Sequence, residues 1–224
     1  MAVAIKTQKS RSSLKRFRQL TPRYLYDRYM LTKYEKKNPN APWLTSDAID
    51  YLNASLKNSD IYVEWGSGRS TAWFAERVGH VTSVESDREW HQWVAGQLKA
   101  NESDNVTYYL REDTDDFDPN RPEIPYVAAA TVLDNESVDV ALVDGIFRAK
   151  CALAVIGKLR RGGILIVDNV NWFLPSATRS PASVGLGQEP ASEDWKQFAG
   201  LVSNWSVKWT SNGVWDTAIW TKPN

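Results

Sequence analysis

The stretch Tyr62–Asp87, YVEWGSGRSTAWFAERVGHVTSVESD, decides the fold. An apolar run ends in Glu64 and Trp65, a turn holding Gly66 and Gly68 follows, and a segment of helical pattern runs from about Arg69 to Val78. Where a strand enters a helix through glycines, free N–H groups and the helix dipole favour an anion, so phosphate is the first ligand to consider. The spacing excludes a P-loop, which ends in Gly-Lys-Ser/Thr, because Arg69 follows Gly68 and only Ser67 separates the glycines. The dinucleotide fingerprint fits as far as its third glycine, a position held by Thr71. Glu64 argues further against pyrophosphate, since a carboxylate at the end of a buried strand repels an anion and welcomes a cation. Glu85 ends the next apolar run, VTSVE, where an acid accepts both hydroxyls of a ribose. The ligand so described carries a ribose, a positive charge and a small carboxylate.

Outward from this stretch, short apolar runs alternate with helical segments. IYVEW, VTSVE, VTYYL, VDVALVD and GILIVDN read as strands, with helices from about Glu89 to Ala100, around Tyr126 to Leu133 and from about Ala149 to Arg160. Such alternation is the signature of an α/β, Rossmann-like, doubly wound and mostly parallel sheet. After Asn169 comes VNWFLPSATRSPASVGLGQEPAS, a long loop rich in Pro, Gly and Ser that reads as a lid or a disordered segment. A helix from Glu193 to about Val202 follows, and WSVKWTSNGVWDTAIWTK reads as two strands joined through SNG. Before Asp60 the pattern predicts helices outside the sheet, one in RYLYDRYMLTKYEKK and one through DAIDYLNASLK capped by Thr45 or Ser46. The chain thus divides into a basic N-terminal arm with a helical extension, residues 1–59, and a main domain, residues 60–224.

Composition limits the function classes. Across 224 residues, 27 basic side chains balance 27 acidic ones and 42% of residues are hydrophobic, so the totals point neither to disorder nor to a polyanion binder. The basic residues crowd before Pro39, where only Asp27 and Glu35 are acidic. Cys151 is the single cysteine, which excludes an intrachain disulfide and argues against a structural zinc site. No apolar stretch approaches the roughly 20 residues that cross a bilayer, and the expectation is a cytoplasmic protein.

VEWGSGRST and SVESD together resemble the first two motifs of the class I S-adenosylmethionine-dependent methyltransferases. The resemblance covers residues 60–221 and implies a seven-stranded sheet with an antiparallel last strand. It implies S-adenosylmethionine as cofactor, with Glu64, Gly66, Ser67 and Gly68 near the methionine moiety, Ser70 and Thr71 on its carboxylate, and Glu85 on the ribose. Asp113, in YLRED, would neighbour the adenine amine, and Asp144 would border the cofactor.

A second constellation lies at the ends of strands four and five. Asp144 closes VALVD, and Asp168 and Asn169 close GILIVDN; in a parallel sheet these ends open on one crevice. Two carboxylates and an amide suit Mg²⁺. The pattern resembles the cation-dependent O-methyltransferases, in which a metal lowers the pKa of an acceptor hydroxyl. Those enzymes have a lysine base three residues after the first aspartate, and Phe147 stands there; Arg148 and Lys150 are the nearby catalytic candidates. The competing reading makes a carboxylate the base without metal. Trp172 follows the Asp-Asn pair and is the candidate substrate contact, whereas Cys151 reads as core.

The expected function is methyl transfer to a hydroxyl of a small molecule or saccharide, with Mg²⁺ assisting. Alternatives are an NAD-linked oxidoreductase and a methyltransferase acting on RNA through the basic arm. The absent Pro-Pro-aromatic motif of amino-methylating enzymes counts against a nucleobase acceptor. A homo-oligomer stays open.

Overall fold

The computed structural model describes residues 21–112 and 124–224. The basic residues before Thr21 and the Asp113 candidate lie outside the described residues. Helices α1 (Pro22–Lys37) and α2 (Ser46–Ser55) precede strand β1 (Ile61–Trp65), α3 (Arg69–Ala75), β2 (His80–Glu85), α4 (Arg88–Ala100) and β3 (Val106–Leu110). Then come the single turn α5 (Pro125–Ala128) with a 3₁₀ turn, β4 (Val138–Val143), α6 (Arg148–Ile156) and β5 (Leu159–Asp168). A second 3₁₀ turn (Val170–Trp172), α7 (Glu193–Leu201), β6 (Ser206–Ser211) and β7 (Asp216–Thr221) complete the chain.

The seven strands form one sheet in the order β3-β2-β1-β4-β5-β7-β6. β1 to β5 pair in parallel, and β7 runs antiparallel between β5 and β6. The order reverses between β1 and β4, so the crevice at their carboxyl ends is the place where an open α/β sheet binds ligands. Two apolar layers hold the sheet. Val63, Trp65, Val143, Leu165 and Val167 face α6 and α7, while Tyr62, Leu142, Ile166 and Ile219 face α2 and α3 through Leu52, Trp73 and Phe74. β1 is central and wholly sheltered apart from its first residue, which is why it reads as a continuous apolar run broken only by Glu64.

Three features differ from the sequence expectations. The helix predicted to Arg160 stops at Ile156, and β5 begins at Leu159. Gly162 adopts φ +72, and a Cβ on Gly163 would lie 2.9 Å from the Arg160 carbonyl, so both glycines serve a tight strand entry and not a helix. Thr45 occupies the N-cap of α2, but its hydroxyl does not cap; it meets the Thr210 hydroxyl at 2.5 Å and ties α2 to the sheet. The long loop is pinned: buried Asp216 accepts from Thr178 (3.0 Å), Ser180 (2.6 Å) and the Trp209 indole (2.7 Å), and buried Asn171 donates to Ser183 at 2.9 Å. Among the described residues, no helix is long and apolar enough to cross a membrane.

Candidate active site

Gly66 and Gly68 hold the turn between β1 and α3 in backbone conformations that side-chain-bearing residues rarely adopt, φ +96 and +155. A Cβ on Gly66 would also lie 2.6 Å from the Gly145 nitrogen, so the turn after β1 presses against the turn after β4. Its N–H groups are already committed. Gly66 donates to the Val84 carbonyl (2.9 Å), Ser67 to Glu85 (3.1 Å) and Gly68 to the Thr71 hydroxyl (3.0 Å). A phosphate cradle needs such groups free. These three residues offer none.

Beneath the turn, Glu64 is fully buried among hydroxyls. Tyr62 donates to it at 2.8 Å and Ser83 at 2.7 Å, with a shorter bond from Thr71. Burial raises its pKa, and the bonds from Thr71, Ser83, Ser70 and Tyr62 oppose the rise. The structure therefore places Glu64 as an anchor under the first turn of α3, with Ser70 and Thr71 turned back to it. Glu85 sits differently. Its carboxylate accepts from the Ser67 hydroxyl (2.6 Å) and the N–H groups of Ser86 (2.7 Å) and Asp87 (2.9 Å), and it borders an open cavity of about 640 Å³.

That cavity joins Gly66, Ser67 and Glu85 on one side to Asp144, Asp168 and Asn169 on the other. Trp90 flanks the first side, where its indole donates to the Ser67 carbonyl at 2.9 Å and fixes the turn. Glu35, Trp43 and Trp215 also line the cavity, so the end of α1 and the β6–β7 connection contribute walls. Trp172 does not. The 3₁₀ turn buries Val170 and Asn171, and it leaves Trp172 44% exposed outside the cavity lining.

On the second side a single guanidinium organises the strand ends. Arg148 donates from Nε to the Gly145 carbonyl (2.9 Å), from Nη1 to the Asp168 carbonyl (2.5 Å) and Asn169 Oδ1 (3.1 Å), and from Nη2 to the Asp144 carbonyl (2.7 Å). It also pairs with Asp144 Oδ1 at 2.9 Å. The Asp168 carboxylate turns away, accepting from Thr217 (2.5 Å) and the Asn169 amide (2.8 Å). Burial, then the neighbouring Asp144, pushes Asp168 well above the carboxylate range. Burial raises Asp144 to about 6 against the opposing pull of Arg148.

This arrangement does not fit Mg²⁺, and the expectation of a metal held by Asp144, Asp168 and Asn169 is corrected on that ground. The amide oxygen of Asn169 and one oxygen of Asp144 serve Arg148, both Asp168 oxygens accept other donors, and a guanidinium stands between them. Arg148 has all three nitrogens committed and so cannot reach an acceptor as a catalytic group. Lys150 is also displaced from the expected role, because it pairs with Asp194 at 3.5 Å and borders a different cavity beside α5.

The sequence points to none of Glu35, Trp43, Trp90, Trp215 or Tyr126 as residues of this cavity, and Tyr126 is the most deeply placed of them. Tyr126 is fully buried, its hydroxyl has no partner among the described residues, and a Cβ on Gly145 would collide with that hydroxyl. Burial drives its pKa upward, so it stays a proton donor. The signal in the sequence was faint: PYVAAA reads only as a helix start.

No family model matches the chain, and a search of curated proteins finds no match. Among solved structures, the chain resembles a methyltransferase-like protein from Silicibacter pomeroyi DSS-3, with a TM-score of 0.55 and 24% identity over 82% of this chain and 89% of that one. It also resembles a candidate caffeoyl-CoA O-methyltransferase from Staphylococcus aureus, with a TM-score of 0.55 and 15% identity over 87% and 91% of the two chains. A candidate methyltransferase from Streptococcus mutans, solved with S-adenosylhomocysteine, gives 0.52 and 10% over 78% and 95%. The chain has the class I methyltransferase fold. In this chain the crevice at the carboxyl ends of β1 and β4 is lined by Gly66, Glu85 and Asp144.

Proposed function

We propose that this protein is an S-adenosylmethionine-dependent methyltransferase that methylates a hydroxyl of a small molecule or saccharide, with Asp144 as the base. The observation that carries the reading is Glu85, a carboxylate held by Ser67, Ser86 and Asp87 at the end of β2 and open to the cavity. It accepts ribose hydroxyls, and the fully used N–H groups of Gly66, Ser67 and Gly68 argue against the pyrophosphate of NAD. The bound cofactor supplies an electrophilic methyl group on a sulfonium. Tyr126 offers its unpaired hydroxyl beside the turn, a buried donor that a ligand can satisfy. On the acceptor side, Asp144 turns one oxygen to Arg148, and no donor among the described residues reaches the other. That second oxygen takes the proton of an acceptor hydroxyl as it attacks. Trp43 and Trp215 give aromatic walls suited to a sugar ring or an aromatic ring.

Methyl-labelled S-adenosylmethionine incubated with a panel of catechols, hydroxycinnamoyl esters and saccharides tests the reading. Label transferred to an acceptor oxygen, undiminished by chelator, is the expected result. Reduction of NAD by an alcohol, with no methyl transfer, would overturn it. Label found in RNA instead would favour an acceptor recruited through the basic residues before Thr21.

A further inference from the structure

The ends of β4 and β5 carry an acid and an acid-amide pair, a donor set that suits a hard cation. The guanidinium of Arg148 stands among them, ringed by five oxygens: the carbonyls of Asp144, Gly145 and Asp168, Asn169 Oδ1, and Asp144 Oδ1. The Phe173 ring lies 5.9 Å from its central carbon, and the side chain is only 15% exposed. Two backbone conformations help create the cage. Asn169 has φ +49, which brings its amide back over Asp168, and Phe147 has φ +48, which starts α6 at Arg148. A bulky residue in the left-handed region is strained and persists only where its surroundings hold it. A planar fork can meet acceptors in several in-plane directions together, whereas an ammonium is a point charge.

We propose that Arg148 is a built-in replacement for a divalent cation: a positioning residue that cross-links the ends of β4 and β5, fills the oxygen cage, and keeps one oxygen of Asp144 towards the cavity. The site then works without metal. The proposal rests on the methyltransferase reading for the task of Asp144, but the occupancy of the cage is testable without turnover.

The test is Mn²⁺ titration of the full chain, following the spin-resonance signal of free Mn²⁺, beside thermal unfolding with and without the ion. Wild-type protein is expected to leave the signal and the unfolding temperature unchanged. Arg148→Ala opens the cage with its oxygens in place, so it gains Mn²⁺ affinity by about tenfold or more and is stabilised by the ion. Adding Asp144→Asn removes the carboxylate of the cage and abolishes that gain. Mn²⁺ bound by wild-type protein and lost in Asp144→Asn would overturn the proposal, as would a folded Arg148→Ala with no gain. If Arg148→Ala does not fold, Arg148→Lys keeps the proposal open to refutation: it should fold with a lower unfolding temperature and ignore Mn²⁺, and an Arg148→Lys protein that unfolds at the wild-type temperature would count against the fork. S-adenosylhomocysteine calorimetry on the same samples separates the outcomes, because failure to bind it refutes the methyltransferase reading and leaves the cage result standing.

Discussion

Tyr126 carries a buried hydroxyl with no partner among the described residues, set against the glycine turn after β4. An unsatisfied buried polar group costs about 1–3 kcal/mol, and a ligand that accepts its proton recovers that cost. Tyr126→Phe should therefore unfold at the wild-type temperature or above it in free protein, yet bind S-adenosylhomocysteine several-fold more weakly. Equal affinity in a calorimeter would remove the hydroxyl from the site. Asp144 gives a second prediction at this scale. Burial raises its pKa to about 6, so its acid form prevails below that pH and the base is lost as pH falls. The value of kcat/KM should drop on the acid side of about pH 6, and Asp144→Asn should lower kcat about 100-fold or more and flatten that limb. S-adenosylhomocysteine affinity should hardly change in that variant; a large loss would place Asp144 on the cofactor and not on the acceptor.

At the scale of elements, the loop after β5 and the β6–β7 pair form one unit around Asp216. Asp216→Ala strands two hydroxyls and an indole N–H in a buried place, so the unfolding temperature should fall by several degrees, and proteolysis should begin within residues 171–192. Wild-type resistance to protease would show that the loop is held by something else. The strands and the glycine turn were legible in the sequence because a central parallel strand is an apolar run and a glycine at φ +96 leaves few substitutes. The end of α6 was not legible, since Leu159 and Arg160 continue the helical pattern, and only the packing of Gly163 against the carbonyls of Val138 and Asp139 shows that the strand has already begun. Nearness along the chain points to Trp172 and Lys150, but the turn at Val170–Trp172 and the face of α6 decide where they point. The acid-acid-amide pattern was visible as a cation site, while its filling by Arg148 depends on left-handed Phe147, which leaves no mark in composition or period.

For the whole molecule, the sheet order places the turn after β1, the acid ending β2 and the acids ending β4 and β5 around one crevice, with α1 and the β6–β7 connection as its outer walls. Residues distant in sequence thus meet in a cavity of about 640 Å³, a size suited to a nucleoside cofactor with an acceptor beside it. The central claim is that the ligand is an adenosyl sulfonium compound held by Glu85 and not a dinucleotide. Calorimetric titration of S-adenosylhomocysteine and of NAD into wild-type protein and Glu85→Ala tests this most directly, with circular dichroism to verify folding. Wild-type protein should bind S-adenosylhomocysteine and not NAD, and Glu85→Ala should lose about 10- to 100-fold in affinity through the missing charged acceptor. NAD binding by wild-type protein, or S-adenosylhomocysteine affinity unchanged in folded Glu85→Ala, would contradict it.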